Sequence, residues 1–193
     1  MAQPVDPNEV LMTGENSFIR LSADGGKTHT SRVSHWRVLW CPAGAGHAMF
    51  LQSPLIENRV QIYSDNLAVA RWLQCTIETL LYPPFADVAL PVFAAQFARS
   101  GDPHSAAVET VDSALDSIVL TWHDCIEPFV LTMAPGMGNR TIGVFSTFFP
   151  AKCAQIEMNG RFAPHATWLE MRGDRQSSSA CLALSETWVK PRG

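Results

Sequence analysis

Residues 31–41 read Ser-Arg-Val-Ser-His-Trp-Arg-Val-Leu-Trp-Cys, and their alternation decides the fold class. In an extended chain successive side chains point to opposite faces. Trp36, Val38 and Trp40 therefore share one face, and His35, Arg37 and Leu39 share the other. Pro42-Ala43-Gly44-Ala45-Gly46 breaks the pattern and turns the chain. Ala48 to Gln52 then pairs back as the second arm of a hairpin, and Asn58 to Tyr63 reads as a third strand.

Moving outward, the pattern changes once. Ser64-Asp65-Asn66 offers short polar side chains that can accept from the free N–H groups of a first helical turn. Leu67, Ala70, Leu73, Ile77 and Leu80 then recur at helical spacing, with Arg71, Gln74 and Glu78 assigned to the opposite face. The spacing predicts a helix over 65–81, stopped by Tyr82-Pro83-Pro84.

Beyond it the chain alternates again to its end. Val92 to Arg99 places Phe93, Ala95 and Phe97 on one side, and Val108 to Asp124 reads as two strands or one bent one. Phe129 to Met133 and Thr141 to Phe149 flank a glycine-rich loop, and Cys153 to Met158 and Arg161 to Met171 flank Asn159-Gly160. Asn-Gly is a strong hairpin signal, because both residues tolerate the positive φ of a type I′ turn. Ala180 to Val189 is the last strand. About nine or ten strands joined by turns predict a mainly β fold with a minor α component: an antiparallel meander closed as a β-barrel, with one central helix. Residues 1–16, polar and carrying Pro4 and Pro7, are expected as a loose arm, and residues 17–193 as one barrel-like domain.

Composition narrows the function classes. The 193 residues are 47% hydrophobic and 17% charged, below the usual ~25%, which leaves room for a homo-oligomeric interface. The net charge is −4 and the 14 Lys and Arg form no dense cluster, so no nucleic-acid footprint is expected. The N-terminus lacks the basic start and apolar core of a signal peptide, and no apolar run reaches the ~18 residues of a membrane helix. The five cysteines form no CxxC pair, which suits a reducing cytoplasmic setting without membrane contact. The histidines form no H-x-H, H-x-x-x-H or HExxH motif, so neither metal nor cofactor is expected; a metal site built from distant strands would draw on His29, His35 and His123. The early Gly-x-Trp and the C-terminal helix of lipocalins are both missing, and the chain resembles no known family.

The candidate chemistry lies in charges placed in line with apolar strand faces. Glu186 follows Ala180, Leu182 and Leu184 and precedes Trp188 on one face; burial there would raise its pKa and suit it to acid or base work. Asp124 follows Ile118, Leu120 and Trp122 in the same way. Arg99, after Phe93, Ala95 and Phe97, would anchor a carboxylate or pair with Glu186 or Asp124. Arg140, at the edge of Gly136-Met137-Gly138-Asn139, would meet an anionic ligand if that loop covers a pocket mouth. Trp36, Trp122 and Trp188 would shape an apolar pocket. If instead the other strand faces are inner, His35, Arg37 and His123 become the residues to test. The expected function is cofactor-independent lyase, isomerase, cyclase or hydratase chemistry on a small, largely apolar molecule. The alternatives are a non-catalytic binder of such a molecule and an assembly subunit of an oligomer.

Overall fold

Alternation becomes strand nearly everywhere the sequence shows it. The computed structural model describes residues 7–137 and 140–191. Met1–Asp6 of the expected arm, and Gly138 and Asn139 of the glycine-rich loop, lie outside the described residues. The strands are β1 (Val10–Ser22), β2 (His29–Trp40), β3 (Gly46–Gln52), β4 (Val60–Ser64) and β5 (Val92–Asp102). They continue with β6 (Ala106–Ser113), β7 (Ser117–Cys125), β8 (Phe129–Met133) and β9 (Gly143–Met158). Four shorter or terminal strands follow: β10 (Arg161–Phe162), β11 (Leu169–Arg172), β12 (Arg175–Ser178) and β13 (Ala180–Val189). The helix α1 starts as Leu67–Leu73, passes through a π segment at Gln74–Glu78 and ends with Thr79–Leu81.

Among the described residues, nine strands close a barrel in the order β9-β13-β1-β2-β3-β4-β5-β6-β7, with β7 pairing back onto β9. The length of β9 makes closure possible. Its first half pairs with β13 up to Pro150, and its second half pairs with β7 from Ala151 onward. β8 adds to the first half of β9, and β11 and β12 form a separate hairpin. The ring is mixed rather than purely antiparallel. β4 and β5 run parallel, because α1 between them returns the chain to the end it started from.

The inner face answers which side of each strand is inside. Ile19, Leu21, Val33, Met49, Leu51 and Trp122 pack together within the ring. Trp36, Ala48, Phe50 and Ile62 point the other way and meet Val69, Ala70, Leu73 and Ile77 of α1. The helix therefore lies on the outer face of β2–β4, beside the ring and not in its centre. Trp36 belongs to this outer layer, and His35 faces the interior.

Other expectations change with local physics. Val10–Asn16, expected in the arm, form the first half of β1, paired with both β13 and β2. Gln74 and Glu78, assigned to the solvent face of the helix, are buried. A π turn holds more residues than an α turn, so each residue rotates less, and Glu78 swings back onto the face that packs on the barrel. The expected strand over Arg161–Met171 is two short pieces, while Thr141–Phe149 and Cys153–Met158 are one strand. Asn159-Gly160 is the expected hairpin turn, with φ of 52° and 76°.

One bulge matters for everything below. Between Gly14 and Phe18, β13 runs from Glu186 to Cys181 and so contains one residue more than β1. The extra residue is Ser185, in left-handed conformation with φ 55°. It reverses the alternation, so Leu182 faces the interior while Trp188 faces outward. Glu186 consequently leaves the row of Ala180, Leu182 and Leu184 to which its spacing assigned it. We expect Ser185→Gly to be neutral or slightly stabilising in urea denaturation. We expect Ser185→Val to cost about 1–2 kcal/mol, since a β-branched side chain is strained at positive φ.

Candidate functional site

Between the outer wall of β13, β1 and β2, the end of α1 and the β8–β9 pair lies a cavity of about 210 Å³. Phe18, Phe85, Leu131, Val144, Phe148 and Trp188 supply its apolar surface. Two carboxyl groups, Glu78 and Glu186, open onto it. Both are almost completely shielded from solvent, at 1% and 4% exposure.

Each carboxyl is held by an indole. Trp36 donates from Nε1 to Oε1 of Glu78 at 2.7 Å, and Ser34 donates to the same oxygen at 2.5 Å. The other oxygen of Glu78, Oε2, has no hydrogen-bond partner among the described residues. A proton on this carboxyl is thus free to sit on Oε2. Trp188 donates to Oε2 of Glu186 at 2.8 Å. Neither carboxyl makes a salt bridge among the described residues. Burial pushes Glu78 up to about 7, against the pull of Ser34, Trp36 and Arg32. Burial also pushes Glu186 up to about 8, against Trp188 and Ser146. Two carboxyls that change charge near neutrality can each hold or release a proton under ordinary conditions.

The lining also carries positive charge. Arg20, Arg32, Arg140 and Arg172 line the cavity. Arg172 comes from the β11–β12 hairpin, whose Glu170 reaches Arg20 at 2.7 Å and Arg172 at 3.2 Å.

A second cavity, about 340 Å³, lies on the interior side of the wall and is lined by His35, Arg37, His47, Phe97, Arg99 and Glu109. Its charges satisfy each other. Arg99 bonds both Glu109 and Glu15, the latter at 2.6 Å, and His47 meets Asp65 at 2.7 Å. His35 is fully enclosed, neither ring nitrogen has a hydrogen-bond partner among the described residues, and burial, Arg99 and His47 lower its pKa to about 3. The cations of this chamber are already committed to carboxylates.

The sequence-derived residues therefore divide. Glu186, Trp188 and Arg140 meet at the outer cavity, and Trp36 supports it through Glu78. Trp122 packs inside the barrel, across the wall, with its indole on the Phe18 carbonyl. Arg99 belongs to the interior chamber and pairs with Glu15 and Glu109, not with Glu186 or Asp124. Asp124 adopts φ 57°, which turns it out of the row of Ile118, Leu120 and Trp122; its side chain is 57% exposed beside Lys152. Among the described residues, His29, His35 and His123 are not assembled with other ligating side chains into a metal-binding group. Glu78, Arg20, Arg32 and Arg172 were not anticipated. For Glu78 a signal existed: Ala70, Gln74 and Glu78 are spaced i, i+4, i+8 along one stripe. The arginines carry no such signal, since Arg20 and Arg172 meet only through the folded hairpin.

No described helix is long and apolar enough to cross a membrane. No family model, curated protein or solved structure matches the chain.

The raised carboxyls have a consequence for stability. Between the unfolded value near 4.5 and the folded values near 7 and 8, the native state binds more protons than the unfolded chain. Their contribution is present in full below that unfolded value and is lost as pH rises through the folded values. Below about pH 6.5 the neutral, buried His35 acts in the opposite sense, because only the unfolded chain takes up its proton readily. The clean window is therefore pH 6.5–8. The urea midpoint is expected to rise as pH falls from 8 to 6.5 in the native protein. In Glu78→Gln combined with Glu186→Gln that rise should be largely gone; a slope as steep as the native one would contradict the assignment.

Proposed function

We propose that the outer cavity is an active site for cofactor-independent acid–base chemistry on a small, largely apolar molecule. The observation that carries this reading is the pair of buried carboxyls in one cavity, each fixed by an indole N–H and neither neutralised by a salt bridge among the described residues. Structural carboxylates at such depth are normally paired with cations, as Glu109 is with Arg99 on the other side of the wall.

The pair suits reactions that move a proton from one atom of the substrate to another. One carboxyl gives a proton to the reacting molecule while the other, as carboxylate, takes one. Proton transfer back between them, directly or through water, restores the starting state. Isomerisation, cyclisation, elimination and hydration all have this form. Glu78, whose Oε1 accepts from both Ser34 and Trp36, is assigned as base, and Glu186, held by the single indole donor of Trp188, as acid. Trp36 and Trp188 fix the carboxyl orientations, and the aromatic lining offers an apolar surface to the body of the substrate. The volume of the cavity suits a molecule smaller than a typical drug. Two exposed free thiols, Cys75 and Cys153, fit a reducing cytoplasmic setting.

Native mass spectrometry of the protein from its own cells would identify a retained molecule, on which turnover can then be assayed. Glu186→Gln is expected to keep that molecule bound while turnover falls by about 10²–10⁴-fold. Undiminished turnover would remove Glu186 from the mechanism. A molecule held unchanged by the native protein would mark the cavity as a binding site without chemistry.

A further inference from the structure

The rim of the cavity holds more positive charge than the protein itself balances. Of Arg20, Arg32, Arg140 and Arg172, two share the single carboxylate of Glu170. Arg32 and Arg140 make no salt bridge among the described residues. Arg32 instead meets the ring Nδ1 of His29 at 3.0 Å.

Three of the four guanidiniums, those of Arg20, Arg32 and Arg172, are seated on aromatic faces. Arg32 lies 4.1 Å from the ring centre of Tyr82, and Arg172 lies 5.2 Å from that of Phe148 and 5.6 Å from that of Phe18. Arg20 lies over Phe18 and Trp168 at 5.5 and 5.2 Å. A guanidinium stacked on a ring is held in place while its N–H edge stays free to bond in its own plane. The Nε groups of Arg32 and Arg172 are buried and have no hydrogen-bond partner among the described residues. Burial and like charge act on the same groups: Arg140 is depressed by its burial and by Arg172, and Arg32 by its burial and by Arg20. Crowded, partly dehydrated cations with unused donors are costly unless an anion completes them.

We propose that the molecule taken by this cavity carries a carboxylate, bound at the guanidinium edges of Arg140 and Arg172, with its apolar body against Phe18, Phe148 and Trp188. The planar fork of arginine matches a carboxylate with two parallel hydrogen bonds. The assignment rests on the outer cavity being the functional site, and it names the substrate class for the chemistry of Glu78 and Glu186. The two carboxyls bind the reacting end, and the arginines bind the acid.

The test uses phenylacetate and its neutral counterpart phenylacetamide, titrated into the full chain and followed by calorimetry. Phenylacetate is expected to bind at least about tenfold more tightly than the amide, with an affinity that falls as salt is raised. Arg140→Gln and Arg172→Gln are each expected to remove most of that preference while leaving amide affinity unchanged. Retained amide binding shows in the same titration that each variant is folded. Arg59→Gln, at an exposed site bonded to Glu57 and the Ile56 carbonyl and away from this cavity, serves as the control and should change neither ligand. Equal binding of acid and amide, or parallel weakening of both in the arginine variants, would overturn the carboxylate assignment and leave the cavity standing. Failure of both ligands to bind would overturn the assignment together with the cavity's functional reading.

Discussion

The wall formed by β13, β1, β2, β3 and β4 is buried on both of its faces, and most of the structure follows from that constraint. Ala48, Met49, Phe50 and Leu51 are consecutive in β3, and all are fully enclosed. The same holds for Ala180, Cys181, Leu182 and Ala183 in β13. Such a wall has no solvent side on which to place polar groups, so each polar residue in it needs a partner across one layer or the other. Trp36 finds Glu78, Trp188 finds Glu186, and Trp122 finds the backbone of Phe18. The first of these bonds ties the helix layer to the sheet and the last ties β7 to β1, while the Trp188–Glu186 bond lies within β13.

The two sides of the wall handle charge in opposite ways. On the inner side, Arg99 bridges Glu15 and Glu109, and Arg37 lies 3.9 Å from Glu15, which keeps the chamber self-contained. On the outer side, carboxyls and guanidiniums occupy the same cavity without forming ion pairs with each other. Burial raises the pKa of both carboxyls, and of the four guanidiniums only those of Arg20 and Arg172 have a carboxylate among the described residues, the shared Glu170. Leaving opposite charges apart in a shielded space is unfavourable for folding alone, and it is the arrangement expected where a ligand supplies the missing contacts.

Much of the fold was legible in the sequence. The alternation around Trp36 marked β2, the dipeptide Asn159-Gly160 marked a hairpin, and the spacing from Leu67 to Leu80 marked the helix. Inner and outer faces were not legible, because a wall buried on both sides loses the polar half of its alternation. β1 was hidden for a related reason: Glu15, Asn16 and Ser17 are polar yet well shielded, so their strand reads as a soluble arm. At the site, Glu186, Trp188 and Arg140 were named from sequence, but the face given to Glu186 was wrong because nothing in Leu-Ser-Glu announces a bulge. Glu78 escaped because a π turn changes the rotation per residue. Arg20, Arg32 and Arg172 escaped because their meeting depends on tertiary folding of the β11–β12 hairpin.

The bulge at Ser185 also bears on how such a sequence can change over time. Along β1 and β2, odd positions such as Glu15, His35 and Arg37 belong to the interior, while even positions such as Asn16, Arg32 and Ser34 belong to the outer cavity. Each strand thus carries two interleaved alphabets, and substitutions in one need not disturb the other. The single added residue in β13 is the point where that interleaving shifts phase. An insertion or deletion there would move a carboxyl between compartments at one stroke, a rearrangement that no series of single substitutions in the strand could reproduce.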